Sequence, residues 1–225
     1  MAKEAEKILL TSRVRLARNI EGYPYPNRIS KEEALDLQEK IVDVLMSDET
    51  YYWEQWNLRD LHPIEALYKI EGHEISYQLL NNKDFSSLVQ TEGGSISMML
   101  MEEDHIRLQA MGKGMHLKEQ FEKSLEISKL LEAKLPVSFH PRFGYLTSCP
   151  TNVGTGLRAS CMVHLPALDH FGLKDIERSI HRMGFVIRGM NGEGTESLGH
   201  VYQISNEKTL GLSEEEFILR AQSMI

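Results

Sequence analysis

Five arginines in this chain, Arg13, Arg15, Arg107, Arg158 and Arg188, each stand on or beside a stretch that reads as a β-strand. Phosphoryl transfer calls for that inventory, because the transferred group spreads negative charge over its equatorial oxygens and catalysis is largely positioning plus stabilisation by cations. Arginine suits the task, since its planar fork binds phosphate bidentately and keeps its charge. In Thr11-Ser12-Arg13-Val14-Arg15 the two-residue period of a strand puts both guanidinium groups on one face. Taken alone, such a pair would be an ordinary solvated face. The strand at Arg158 repeats the pattern, with Arg158, Ser160, Met162 and His164 on one side and Ala159, Cys161, Val163 and Leu165 on the other.

Carboxylates and a thiol accompany the arginines. Glu102, Glu103 and Asp104 follow an apolar run, and an extended chain there would place Glu103, His105 and Arg107 on one face and Asp104, Ile106 and Leu108 on the other. Cys149 opens a turn-rich segment in which Pro150, Asn152, Gly154 and Gly156 offer tight or positive-φ geometry before Arg158. Gly189, Gly192 and Gly194 surround Glu193, which reads as a flap with a carboxylate at its tip. No group of His, Cys and Asp has the spacing of a dedicated metal site, so any metal is expected to arrive with a nucleotide.

The elements that must hold these side chains are partly legible. Ser30 and Glu33 form a capping-box pattern that predicts a helix through about Met46, with Leu35, Ile41 and Leu45 among its apolar positions. Further helices are predicted from Leu117 to about Leu135 and from about Leu173 to Met183, where Gly184 is a C-cap. A second capping box, Ser213 with Glu216, opens a final helix. Strands are predicted over 8–16, 95–110 with a break, 144–147, 159–165, 185–188 and 199–204. Helices and strands mix without a regular βαβ beat, which points to an α+β domain built on a mainly antiparallel β-sheet flanked by helices. The 225 residues carry no repeat or low-complexity linker, so one domain is expected over 1–225.

Composition removes several function classes. A formal net charge of −8 argues against a nucleic-acid partner, because a phosphate-tracking surface needs a basic excess. No apolar run approaches a membrane span and the first residues lack a signal-peptide pattern, so neither membrane nor export is expected. Two cysteines, Cys149 and Cys161, imply no disulfide framework and a cytoplasmic setting.

Four motifs in order, Ser12-Arg-Val-Arg15, Glu102-Glu-Asp-His-Ile-Arg107, Cys149-Pro-Thr-Asn-Val-Gly-Thr-Gly-Leu-Arg158 and Arg188-Gly-Met-Asn-Gly-Glu193, resemble the ATP:guanido phosphotransferases over nearly the whole chain. That family includes arginine and creatine kinases and the bacterial protein-arginine kinases. The resemblance implies a glutamine-synthetase-like catalytic fold and ATP with Mg²⁺ as the phosphoryl source. It implies nucleotide binding along Thr11, Ser12, Arg13, Val14 and Arg15, along Arg158, Ala159, Ser160, Cys161 and Met162, and along Arg188, Gly189, Met190, Asn191, Gly192 and Glu193. Arg107 would join the phosphate clamp and His73 would contact the nucleoside. Glu103 would hold the acceptor guanidinium and take its proton, Glu193 would grip its other side, Glu102 would act near the magnesium, and Cys149, as a thiolate, would tune the acceptor.

Two departures point to the protein-arginine branch: Gly194 and Met162 stand where the metabolite kinases typically carry histidine. Only about ten residues precede the Ser12 motif, where the metabolite kinases have a helical domain closing over a small substrate, so a site open to a protein side chain is expected. The protein-arginine kinases usually continue into a helical C-terminal domain linked to dimerisation, beyond where this chain stops. In that branch an adaptor stimulates the kinase and a Clp-type protease takes the marked proteins. A small-molecule guanidino kinase and a nucleotide- or phosphoarginine-binding regulatory module are the alternatives.

Overall fold

The structure, a computed structural model, describes residues 8–172, 174–189 and 198–224. Eight strands make one antiparallel sheet: β1 (Leu9–Arg18), β2 (Trp53–Asn57), β3 (Ser87–Thr91), β4 (Ile96–Leu100), β5 (Ile106–Lys113), β8 (Leu157–His164), β9 (Phe185–Gly189) and β10 (Val201–Asn206). Their order is β2-β3-β4-β5-β1-β8-β10-β9, and β6 (Phe139–His140) pairs with β7 (Gly144–Tyr145) in a separate hairpin. The α+β antiparallel reading holds.

β1 lies between β5 and β8, and its alternation sets the two faces of the sheet. Val14 and Leu16 are fully buried, as are Leu108, Ala110, Leu157 and Ala159 opposite them. Helices α4 (Leu117–Glu132) and α7 (Glu214–Met224) cover that apolar face. The other face carries the arginines. A second apolar cluster, Leu58, Ile75, Leu79, Leu88 and Met99, seats helices α2 (Pro63–Glu71) and α3 (Tyr77–Asn81) beside that face.

Helix α1 (Lys31–Met46) starts where the sequence places it, with the Ser30 hydroxyl accepting from the Glu33 amide and the Glu33 carboxylate from the Ser30 amide. Leu37, Ile41 and Leu45 are its buried stripe, whereas Leu35 is exposed, a correction to the apolar face read from sequence. The third predicted helix is found as α6 (Lys174–Arg182), with Gly184 at positive φ just beyond it, and it is preceded by a short helix without an assignment from sequence, α5 (Pro166–Phe171), separated from it by the positive-φ Gly172. Segment 47–95, without an assignment from sequence, supplies β2, β3, α2 and α3.

The stretch after β4 is not extended. Met101 takes φ +62° and its amide donates to the His105 carbonyl at 3.0 Å, so 101–105 reverses the chain into β5. Glu103 and His105 therefore part company. His105 is buried, its Nδ1 accepting from the Ile20 amide at 3.0 Å and its Nε2 sitting 2.8 Å from the Pro24 carbonyl.

Candidate active site

The sheet register gathers the arginines. Arg15 lies opposite Gln109 on β5 and Arg158 on β8, Ala17 opposite Arg107, and Gln203 of β10 opposite both Met162 and Arg188. Even-numbered spacing on β1, β5 and β8 then puts Arg13, Arg15, Arg107 and Arg158 on the same face. A cleft of about 690 Å³ opens over them, walled by Arg13, Arg15, Arg107, Arg158 and Arg188 on the sheet side and by Leu67, Ile70, His73, Ile75 and Tyr77 from the α2–α3 region. Cations stand along one wall and apolar and aromatic groups along the other, as a purine nucleotide requires.

Arg13 and Arg15 carry their charges in an unfavourable setting. Arg13 donates to Gln203 Oε1 at 2.9 Å, and Arg15 Nε is buried without a hydrogen-bond partner among the described residues. Burial, with the repulsion of Arg107 and Arg158, lowers the Arg13 pKa from its ordinary value to about 10. Burial lowers Arg15 well below its ordinary value as well, with repulsion from Arg13, Arg107 and Arg158 adding to it and Glu102 opposing. His73 has a lowered pKa for the same reasons, desolvation first and then Arg13 and Arg15. A polyanion entering here would relieve all of these groups together.

A second cavity of about 290 Å³ shares Arg15, Arg107 and Arg158 with the first and adds Glu102, Glu103, Cys149, Thr151 and Asn152. The shared arginines stand between the two spaces. Glu103 is half-buried, lines this cavity together with Cys149 and has Asn152 Nδ2 3.5 Å away. Burial raises its pKa, and the neighbouring Asp104 and Glu102 raise it further, with Arg107 opposing. A carboxylate tuned upward and facing a cavity is a candidate general base. Glu102 is buried and committed: it accepts from Arg107 and from Ser76, and the Glu103 amide donates to it at 3.2 Å. It therefore aims Arg107.

The loop carrying Cys149 is pinned from several sides. Buried Asp104 accepts from the Ser148 amide at 2.6 Å and from Asn19 Nδ2 at 2.7 Å. Thr209 Oγ1 lies 3.0 Å from the Thr151 carbonyl and 2.6 Å from that of Val153. Gly156, at φ +63°, passes so close to β1 that a Cβ there would sit 2.6 Å from the Ala17 carbonyl. Beneath it, buried Arg18 donates to the Ala17 and Thr155 carbonyls, to Ser128 and to Glu214, and lies over the Tyr145 ring. The Cys149 sulfur is 3.0 Å from Thr151 Oγ1, and the cavity it lines holds Glu103 together with the cations Arg15, Arg107 and Arg158.

Residues 36–225 match the family described as ATP:guanido phosphotransferase, C-terminal catalytic domain. The chain belongs to this family. Curated relatives named protein-arginine kinase include one from Clostridium tetani, 39% identical over 219 residues, and one from Geobacillus stearothermophilus, 42% identical over 224 residues. Each alignment covers 97% of this chain, and the chain spans 64% and 61% of those relatives. Among solved structures, a lombricine kinase superposes with TM-score 0.84 at 27% identity, covering 97% of this chain and 64% of that one. The duplicated taurocyamine kinase from Schistosoma mansoni with bound transition state analog components superposes with TM-score 0.87 at 26% identity, covering 99% of this chain and 32% of that one. The fold is thus that of a guanido kinase catalytic domain, from an ATP-utilising family.

Within this guanido phosphotransferase frame, the sequence blocks contribute only alternate side chains to the cleft. Ser12, Val14, Ala159 and Cys161 belong to the helix-covered face, where Ser12 Oγ accepts from the His116 amide at 3.0 Å and burial pushes the Cys161 thiol up to about 12. Thr11, Ser160 and Met162 share the arginine face, and Ser160 Oγ lies 3.5 Å from Arg13 Nε. Gly189 ends β9, while Met190, Asn191, Gly192, Glu193 and Gly194 lie outside the described residues. Gln203, Gln109 and Asn152 were missed as site residues; Gln203 alternates with buried Tyr202 and Ile204 on β10, and that alternation was the available signal.

Proposed function

We propose that this chain transfers the γ-phosphoryl group of MgATP to the guanidinium group of arginine side chains in proteins, giving phosphoarginine. The observation that carries the reading is the pair of cavities joined by Arg15, Arg107 and Arg158, a cluster of arginines on one side and an upward-tuned Glu103 on the other. ATP would place its phosphates along Arg13, Arg15, Arg107, Arg158 and Arg188, with the nucleoside toward His73, and the acceptor would enter beside Glu103 and Cys149.

Chemistry then follows from positioning. A guanidinium nitrogen is a poor nucleophile while fully protonated, so Glu103 aligns it and accepts a proton as nitrogen bonds to the γ-phosphorus and the bond to the β,γ-bridging oxygen breaks. The arginines stabilise the equatorial oxygens and the leaving ADP. Among the described residues no group of three or more His, Cys, Asp or Glu is placed to hold a metal on its own; Mg²⁺ would travel with the nucleotide. Glu102 and Glu103, which line the cavity with the shared arginines, would face the ion, and it would neutralise phosphate charge. Glu193 as a second grip on the acceptor, an activating adaptor, a Clp-type protease pathway, homodimer formation and a cytoplasmic setting belong to the same proposal. No described helix is long and apolar enough to cross a membrane.

The two solved relatives are named for small guanidino substrates, and the more similar curated relatives are named for protein arginine. The higher identity supports the protein acceptor. Incubating the chain with MgATP and casein or free arginine separates these: acid-labile phosphate mapping to casein arginines supports the proposal, modification of free arginine alone supports the small-molecule reading, and ATP binding without product supports a regulatory module.

A further inference from the structure

A third cleft of about 570 Å³ lies on the far side of the Cys149 loop. It is bounded by Pro150 and Thr151 of that loop, the last turn of α6 with Arg182, and the segment after β10 with Lys208 and Leu210. Thr151 is shared with the acceptor cavity, so one residue's width separates the two spaces. The topology explains the adjacency: β8 begins, β10 ends and β9 begins at the same end of the sheet.

The charge balance of this cleft is unlike that of the whole chain. Glu207 faces His181 at 3.3 Å. Arg182 and Lys208 have no ion-pair partner among the described residues, in a protein of net charge −8. Pro150 and Leu210, the latter 52% exposed, add apolar surface for the stem of an incoming side chain.

We infer that this cleft seats an acidic side chain of the protein substrate, a few residues along the chain from the acceptor arginine. The inference rests on the proposed protein-arginine acceptor. An arginine entering the site meets a wall of guanidinium groups, and an acidic neighbour held by Arg182 and Lys208 offsets that repulsion while fixing the direction of the peptide. An extended chain advances about 3.3 Å per residue, so crossing the wall at Thr151 takes only a few residues.

The test uses peptides with a single arginine that are identical except for glutamate or glutamine two to four positions to either side. Wild type is compared with Arg182→Glu, Lys208→Glu and the double variant, by fluorescence anisotropy for binding and by mass spectrometry of phosphoarginine for transfer. Two partly exposed ion pairs predict a KM and a Kd about five- to tenfold lower for the glutamate peptide on one side, with kcat and ATP affinity unchanged. The double variant should erase or invert the preference, and salt should weaken it in wild type. Equal affinity for both peptides in wild type, or a preference that survives charge reversal, overturns the inference. If wild type binds ATP but modifies neither peptide, the kinase reading fails, and the anisotropy result still decides whether the cleft selects an acidic peptide.

Discussion

Glu103 differs from an ordinary surface glutamate because burial, Asp104 and Glu102 all favour its neutral form. A base must be ionised to act, so turnover should rise with pH through a midpoint above the ordinary glutamate value of 4.5, and a kcat profile measures it. Glu103→Gln should lower kcat by about a hundredfold or more while ATP still binds, which single-turnover assays and nucleotide titration would separate. The arginines make a complementary prediction. Because the Arg13 pKa of about 10 lies below the ordinary arginine value, the folded chain holds that proton less well than the unfolded chain, and the penalty persists at every pH below about 10. Arg15→Met, which removes a cation from the same repulsive cluster, should therefore weaken ATP binding by about tenfold or more yet leave the ligand-free melting temperature equal or higher. At this scale the sequence was informative about residue types: arginines on strands and acids close to them were legible, and the roles of Glu102 and His105 were not. Both depend on the reversal at Met101, a positive φ on a non-glycine residue that no turn signal announces.

Among the elements, β1 and the Cys149 loop matter together, because β1 supplies two of the phosphate-facing arginines and, through Arg18, the anchor of the loop opposite. Arg18→Lys cannot reproduce the fork that reaches Thr155, Ser128 and Glu214 at once, and it leaves Glu132 and Glu214 less compensated. Its cost should be about 2–4 kcal/mol in urea unfolding, with alkylation of Cys149 accelerated as the loop loosens. A milder control is Ser30→Ala, which removes a cap far from the site and should cost about 1 kcal/mol without changing kcat. Capping boxes and alternating strands were readable because their signals are local. Segment 47–95 was not, since its short strands and helices take their form from the Leu79–Leu88–Met99 cluster, which assembles only in the folded chain. The short helix Pro166–Phe171 was likewise not legible, and it ends at Gly172, which takes φ +99°.

For the whole molecule, the two cavities and the charge cluster between them make folding and nucleotide binding opposed until ATP arrives. MgATP at about 100 times its Kd should stabilise the fold by about 2.7 kcal/mol, a rise of about 5–10 °C in melting temperature for a chain of this size, visible by scanning calorimetry. Fold class followed from the mixture of helices and strands without a βαβ beat, but the strand order 2-3-4-5-1-8-10-9 did not, because long-range pairing leaves no local trace. The central claim is transfer to a guanidinium nitrogen with Glu103 as the base. ³¹P NMR of MgATP with an arginine-containing protein tests it directly. The account predicts a phosphorus–nitrogen resonance growing with ADP for the wild-type chain and none for Glu103→Gln with ATP still bound; product from the Gln variant at the wild-type rate, or ADP and inorganic phosphate alone from wild type, would contradict it.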